Sequence, residues 1–142
     1  MATSGSSWSA WGYVTKSSSN WNDQALGNGN THTSDVIDLN GKMSGEYGIK
    51  LYEDDTGAIS GDVTVKVLRA TGDDGGGSEE YEDATNGSPL AFLITPVQNA
   101  TVRKAFTIDA LDIRRFKIAV TNNAGQELAV TVEERTSQLS TS

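Results

Sequence analysis

The chain contains no cysteine and a single histidine, His32, among its 142 residues. The first absence excludes disulfide staples and thiolate metal sites, so the fold rests on packing and backbone pairing. Together the two absences remove His- and Cys-based zinc sites and cysteine nucleophiles. His32 sits in NTHTS, a polar stretch that reads as surface. No apolar run approaches the roughly 20 residues a membrane helix needs. The N-terminus, MATSGSS, lacks the basic and apolar regions of a secretory leader, so the expectation is a chain that starts life in a cytoplasm or a mature form of the protein. Basic charge is scarce as well: 11 Lys and Arg stand against 19 Asp and Glu, a net charge of -8. Such a chain is repelled by phosphate backbones, so nucleic acid is not an expected partner. Hydrophobic residues make up only 36 %, which leaves some segments without a core role.

Nothing in the remaining residues assembles a catalytic set. The many serines include no GxSxG elbow. Acids cluster at Asp54 and Asp55, at Asp73 and Asp74, and at Glu79, Glu80, Glu82 and Asp83. In glycine-rich loops these read as solvated turn formers. Two alternatives stay open, a glycosidase-type carboxyl pair and calcium held by one such loop, although the EF-hand spacing is missing. The glycine run 75–77 lacks the Lys-Ser/Thr of a phosphate-binding loop. The expectation is a protein that is not an enzyme and uses no metal or cofactor.

What the chain does have is alternation with the period of a half-buried strand. EYGIKLY (46–52) places Tyr47, Ile49 and Leu51 on one face, and DVTVKVL (62–68) does so with Val63, Val65 and Val67. FKIAVT (116–121) aligns Phe116, Ile118 and Val120, and ELAVTVE (127–133) aligns Leu128, Val130 and Val132. Weaker strand signals lie at 33–39, 78–84 (an edge strand with Tyr81), 89–97 (apolar on both faces, as if covered twice) and 101–108. Segments rich in Gly, Asn and Asp separate them, and NNAGQ (122–126) reads as a hairpin. No long helical stripe is present; DALDIRRF (109–116) suffices for one turn that sets Leu111 and Ile113 over an open end of the fold. The expected fold is all-β, an antiparallel β-sandwich of about eight strands, with a jelly roll as one form of it. The sandwich spans residues 31–135, behind an extended N-terminal arm (1–30) and ahead of a frayed polar C-terminal tail (136–142).

All three tryptophans lie in that arm, at Trp8, Trp11 and Trp21, with Tyr13 beside them. Three readings compete. The arm folds back and its indoles plug the ends of the sandwich; or the indoles dock on another chain, where Trp and Tyr are favoured anchors; or they form a sugar-stacking platform. Polar linkers such as KSSSN suit the second. Charge adds a further candidate surface. Residues 101–117 hold five bases, Arg103, Lys104, Arg114, Arg115 and Lys117, against two acids, whereas residues 46–83 hold eleven acids and three bases. The two stretches are either solvated faces or complementary surfaces that meet between copies.

The runs NWNDQALGNGNTHTSDVIDLNGK, EYGIKLYEDDTGAISGDVTVKVL, SPLAFLITPVQNATV and RRFKIAVTNNAGQELAVTVEERT resemble the β-sandwich decoration, or cement, proteins of tailed bacteriophages, over most of residues 20–135. The resemblance implies a structural virion protein on the capsid exterior, assembled in the host cytoplasm. Its partners would be the major capsid protein and copies of itself, as homotrimers. The arm with Trp8, Trp11 and Trp21 would then be the anchor, and Arg103, Lys104, Arg114 and Arg115 would meet acids of a neighbouring copy. A carbohydrate-binding module, and a head-fibre or tail component, remain as alternatives.

Overall fold

The computed structural model describes residues 4–53, 57–73, 76, 78–86 and 90–141. Two antiparallel sheets face each other. In sheet one, β14 (Leu128–Thr141) pairs on one side with β8 (Ser44–Tyr52), which pairs with β12 (Thr101–Asp109). The other side of β14 carries β1 (Ser4–Trp8), β2 (Gly12–Tyr13) and β5 (Gln24–Leu26). In sheet two, β13 (Arg115–Asn122) lies between β9 (Val63–Asp73) and the short β6 (Thr31–Thr33) and β7 (Ile37–Asp38). The far side of β9 carries β10 (Glu79–Tyr81) and β11 (Ala91–Ile94). A small hairpin, β3 (Thr15–Lys16) with β4 (Ser19–Asn20), stands apart.

When the short strands sharing one edge are merged, each sheet has four positions, and the chain switches sheet at every step except from β9 to β10 and β11. That order is a jelly roll. The alternating segments supply the core as their period requires. Tyr47, Ile49, Leu51, Val63, Val65, Val67, Phe116, Ile118, Val120, Leu128, Val130 and Val132 are all buried. Each such side chain contributes roughly 1.5–3 kcal/mol. At the centre the Tyr47 ring meets Phe116 edge-on at 5.4 Å and Phe106 at 5.5 Å, and its hydroxyl donates to Glu134 Oε2 at 2.8 Å. Burial, and then the adjacent Glu134 carboxylate, holds the Tyr47 phenol far above its ordinary pKa.

Several expectations need correction. NNAGQ is not a hairpin: β13 pairs with β9 and β14 with β8, so the segment arches from one sheet to the other. The Asn122 amide, fully buried, builds that arch. Its Nδ2 donates to the carbonyls of Leu26 and Gln126 at 2.8 and 2.7 Å, and its Oδ1 accepts from Ala124 N–H at 2.9 Å. Gly125 supplies φ +89°, with Ser60 packed where a Cβ would stand. Residues 109–116 form a turn capped by Asp109, whose carbonyl accepts from Asp112 and Ile113; Ile113 packs on the core, but Leu111 is 93 % exposed and covers nothing. Residues 90–97 are covered on one side only, because β11 is an edge strand and Leu93 faces solvent.

The N-terminal arm is not an arm either. Val14, Trp21 and Leu26 are core residues. Val14 N–H donates to the Val132 carbonyl, and Val132 N–H donates to that of Trp21, so β14 consumes the backbone groups of this leader. KSSSN is the β3–β4 turn, with φ +51° at Ser17 and +64° at Ser18, the signs of a type I′ turn. Both serine amides donate to the Asp35 carboxylate, at 3.1 and 2.8 Å, and these bonds, chiefly Ser18's, lower the Asp35 pKa. The backbone of the expected C-terminal tail continues β14 to Thr141 and pairs with β1.

Candidate functional site

The outer face of sheet one is where the sequence candidates converge. Strand alternation turns Glu46, Gly48 and Lys50 outward on β8. The register sets Gly48 between Glu133 and Ala105, and Lys50 between Thr131 and Arg103. Gly48 and Ala105 make a low floor. Trp11 leans over it: a Cβ at position 48 would stand 3.8 Å from the indole Cζ3. The result is an open trough of about 510 Å³ lined by Trp11, Lys50, Arg103, Lys104, Thr131 and Glu133.

The indoles at its rim are held in place. The Arg135 guanidinium lies 4.6 Å from the Trp8 ring centre and 4.9 Å from that of Trp11, and ion-pairs with Glu46 at 3.0 Å. Each cation–π contact is worth about 0.5–1 kcal/mol at an exposed site. Ser9 N–H donates to the Thr136 carbonyl, and Ser9 Oγ accepts from Thr136 N–H, fixing the backbone between the two tryptophans. Trp8, Trp11 and Tyr13 are nonetheless 42–43 % exposed, and Tyr13 stands opposite Glu133 in the ladder. These are large apolar rings on a rigid surface.

Arg103 differs from the other arginines. Arg69 pairs with Glu82, Arg114 with Asp38, Arg115 with Asp38 and Glu79, and Arg135 with Glu46. Among the described residues Arg103 alone of the arginines has no ion pair. Lys104 sits 5.2 Å above the Phe92 ring, and Lys50 lies 3.6 Å from Asp23. Arg103 is thus a local positive charge without an ion pair among the described residues, on a chain of net charge -8.

Four of the eight sequence candidates therefore share this face: Trp8, Trp11, Tyr13 and Arg103. The other four do not: Lys104 stands opposite core Ile49 and turns to Phe92 of sheet two. Trp21 is fully buried in its own protomer, 6.3 Å from the His32 ring, and leaves the set of possible anchors. Arg114 and Arg115 line a hollow of about 590 Å³ beside sheet two, where acids of the same chain neutralise them. The expected meeting of basic and acidic stretches occurs here within one protomer. His32 is half-buried rather than superficial. Burial first, and Lys16 second, lower its pKa.

Lys50, Thr131, Glu133 and Arg135 were missed because they lie on two strands read only for their core faces. Gly48, an outward glycine in the middle of EYGIKLY, was the available signal, since a glycine there marks close approach by another group. Asp54, Asp55 and Asp74 lie outside the described residues, and Asp73 is described only as the backbone end of β9. Among the described residues, no group of three or more metal-ligating side chains comes together, and no helix is long and apolar enough to cross a membrane.

No family model matches the chain, and no curated protein does. Solved structures share its layered β architecture. The enzymatically active domain of tailspike protein 4 of bacteriophage CBA120 is similar over 98 % of this chain and 19 % of that one, with 14 % identity and a TM-score of 0.46. The SPBc2 prophage-derived protein YomS is similar over 97 % of this chain and 96 % of that one, with 10 % identity and a TM-score of 0.39. A family 16 carbohydrate-binding module is similar over 83 % of this chain and 74 % of that one, again with 10 % identity and a TM-score of 0.39. At these values the likenesses bear on neither ligand nor partner.

Proposed function

We propose that this chain is a structural, non-catalytic protein of a bacteriophage virion that coats the capsid exterior, with the major capsid protein as its partner. One observation supports attachment through the β11 edge. Residues 90–97 are apolar on both faces, yet the protomer covers one of them, leaving Leu93 56 % and Val97 53 % exposed. A second cover from another molecule accounts for side chains that the protomer's own core does not use. A capsid offers that cover in many equivalent copies, so modest contacts add into firm attachment, more so if the protein arrives as the trimer that the family resemblance implies.

The test is Leu93→Asp. The residue is exposed on an edge strand, so the fold is expected to survive, with an unchanged thermal unfolding midpoint. Purified variant and wild type are added to capsids lacking the protein and sedimented. At least a tenfold loss of bound variant is expected. Occupancy equal to wild type would remove the β11 edge as the attachment surface.

A further inference from the structure

We infer that the trough on the outer face of sheet one binds an anionic polysaccharide, one whose sugar rings carry carboxylate or sulfate groups. The inference is independent of the capsid reading and concerns the opposite sheet of the sandwich.

Shape is the first argument. Gly48 and Ala105 keep the floor low, and Trp11 rises beside it, so a flat ring can lie against the indole without meeting other bulky groups. At about 510 Å³ the trough is within the usual range for small-molecule sites. An indole offers a sugar's C–H face a large apolar surface, while Glu133 and Lys50 supply an acceptor and a donor for ring hydroxyls.

Charge is the second. Arg103 has no ion-pair partner among the described residues, while neighbouring Lys50 is paired with Asp23, so the planar guanidinium is free to take a carboxylate or sulfate in two parallel hydrogen bonds. A neutral glycan would leave this guanidinium unused. A nucleic acid, with a phosphate at every residue, meets the field of a chain with net charge -8 and the Glu133 carboxylate inside the trough.

Backbone pairing is the third. β14, β8 and β12 pair with one another along the whole trough, from Ala129 to Glu133 and from Arg103 to Ala105. An acidic peptide could extend the sheet only at the outer edge of β12, beside the trough and not over its floor, whereas a glycan needs only side chains. The rim is already ordered by Arg135 between the two indoles, so little freedom is lost on binding.

The experiment titrates the full chain, at low and physiological salt, with a polyuronate, dextran sulfate, neutral dextran, polyglutamate and a single-stranded oligonucleotide. Calorimetry and tryptophan fluorescence are the readouts. Saturable binding to polyuronate or dextran sulfate is expected, weaker at higher salt, and the tighter of the two names the anionic group. Trp11→Ala and Arg103→Ala should each weaken it at least tenfold, and Arg103→Lys less than Arg103→Ala. Leu93→Asp should leave it unchanged, which separates this site from capsid attachment. The inference is overturned by no binding to either anionic glycan, by equal binding to neutral dextran, by tighter binding to polyglutamate or to the oligonucleotide, or by full affinity in the Trp11 and Arg103 variants.

Discussion

Trp8 and Trp11 sit on the outer face of sheet one, while Trp21, ten residues further along the same Ser- and Asn-rich leader, is wholly enclosed. Local composition does not separate them. The register against β14 does. The Trp21 carbonyl accepts from the N–H of Val132, whose side chain points into the core. Trp8 stands opposite Ser137, on the face that carries Arg135. A strand's two faces alternate by single residues, so a polar leader laid along one strand delivers one indole to the core and others to the surface. The two kinds of tryptophan then serve different ends: one holds the leader down, and the others furnish a binding face.

The largest expected effect tests that division directly. Trp21→Ala should destabilise the protein by about 3–5 kcal/mol, because a large buried ring leaves a cavity that the sheets cannot close. Trp11→Ala should cost within about 1 kcal/mol, the scale of one exposed cation–π contact. Trp21→Phe should fall between them, since it removes an indole N–H that has no partner in the core. Urea unfolding of the three variants gives the ranking. Equal losses for Trp11→Ala and Trp21→Ala would mean that both indoles support the fold alike.

The same contrast shows what the sequence discloses. The four alternating segments, their inward residues and the edge placement of Tyr81 follow from period-2 patterning, which needs only neighbouring residues. Pairing partners do not follow from it. NNAGQ has the composition of a hairpin turn, and nothing in those five residues says that the strands on either side belong to opposite sheets. The leader was illegible for a related reason. Its fixed points, Asp35 for the Ser17–Ser18 turn and Arg135 for Trp8 and Trp11, lie far along the chain. Serine also seldom takes positive φ without such help. Arg103 was singled out from local charge alone, and the fold gave it no ion pair among the described residues while neutralising Arg114 and Arg115.

A smaller effect should come from Asp35. Asp35→Ala removes the acceptor for two turn amides in the β3–β4 hairpin. About 1 kcal/mol of stability should be lost, on the modest side because the hairpin is exposed to water that can replace the carboxylate. The folded pKa of Asp35 lies below the ordinary 3.8, so this contribution is present above that pH and is lost as pH falls through the folded value. The gap between wild type and Asp35→Ala should therefore narrow in strong acid. A gap that is constant with pH would mean that the amides are held by something other than the charged carboxylate.

The smallest effect should come from His32, and it sharpens the account of the Trp21 side of the leader. Its Nδ1 is buried without a hydrogen-bond partner, and its ring faces Trp21. Burial, then the nearby Lys16 charge, disfavours the imidazolium in the folded state, so the folded pKa falls below the ordinary 6.5. The unfolded chain binds the proton more readily. Stability is then fully present above about 6.5 and is lost as pH falls through the folded value, the unfolded state being the better proton acceptor throughout that window. His32→Gln carries no titrating ring. Its stability relative to wild type should rise as pH falls below about 6.5 and level off once the folded imidazole is protonated too, whereas the carboxylates common to both proteins cancel in the difference. Parallel curves over that range would place the imidazole in free contact with water, and the seal of the leader over Trp21 would then be looser than its burial implies.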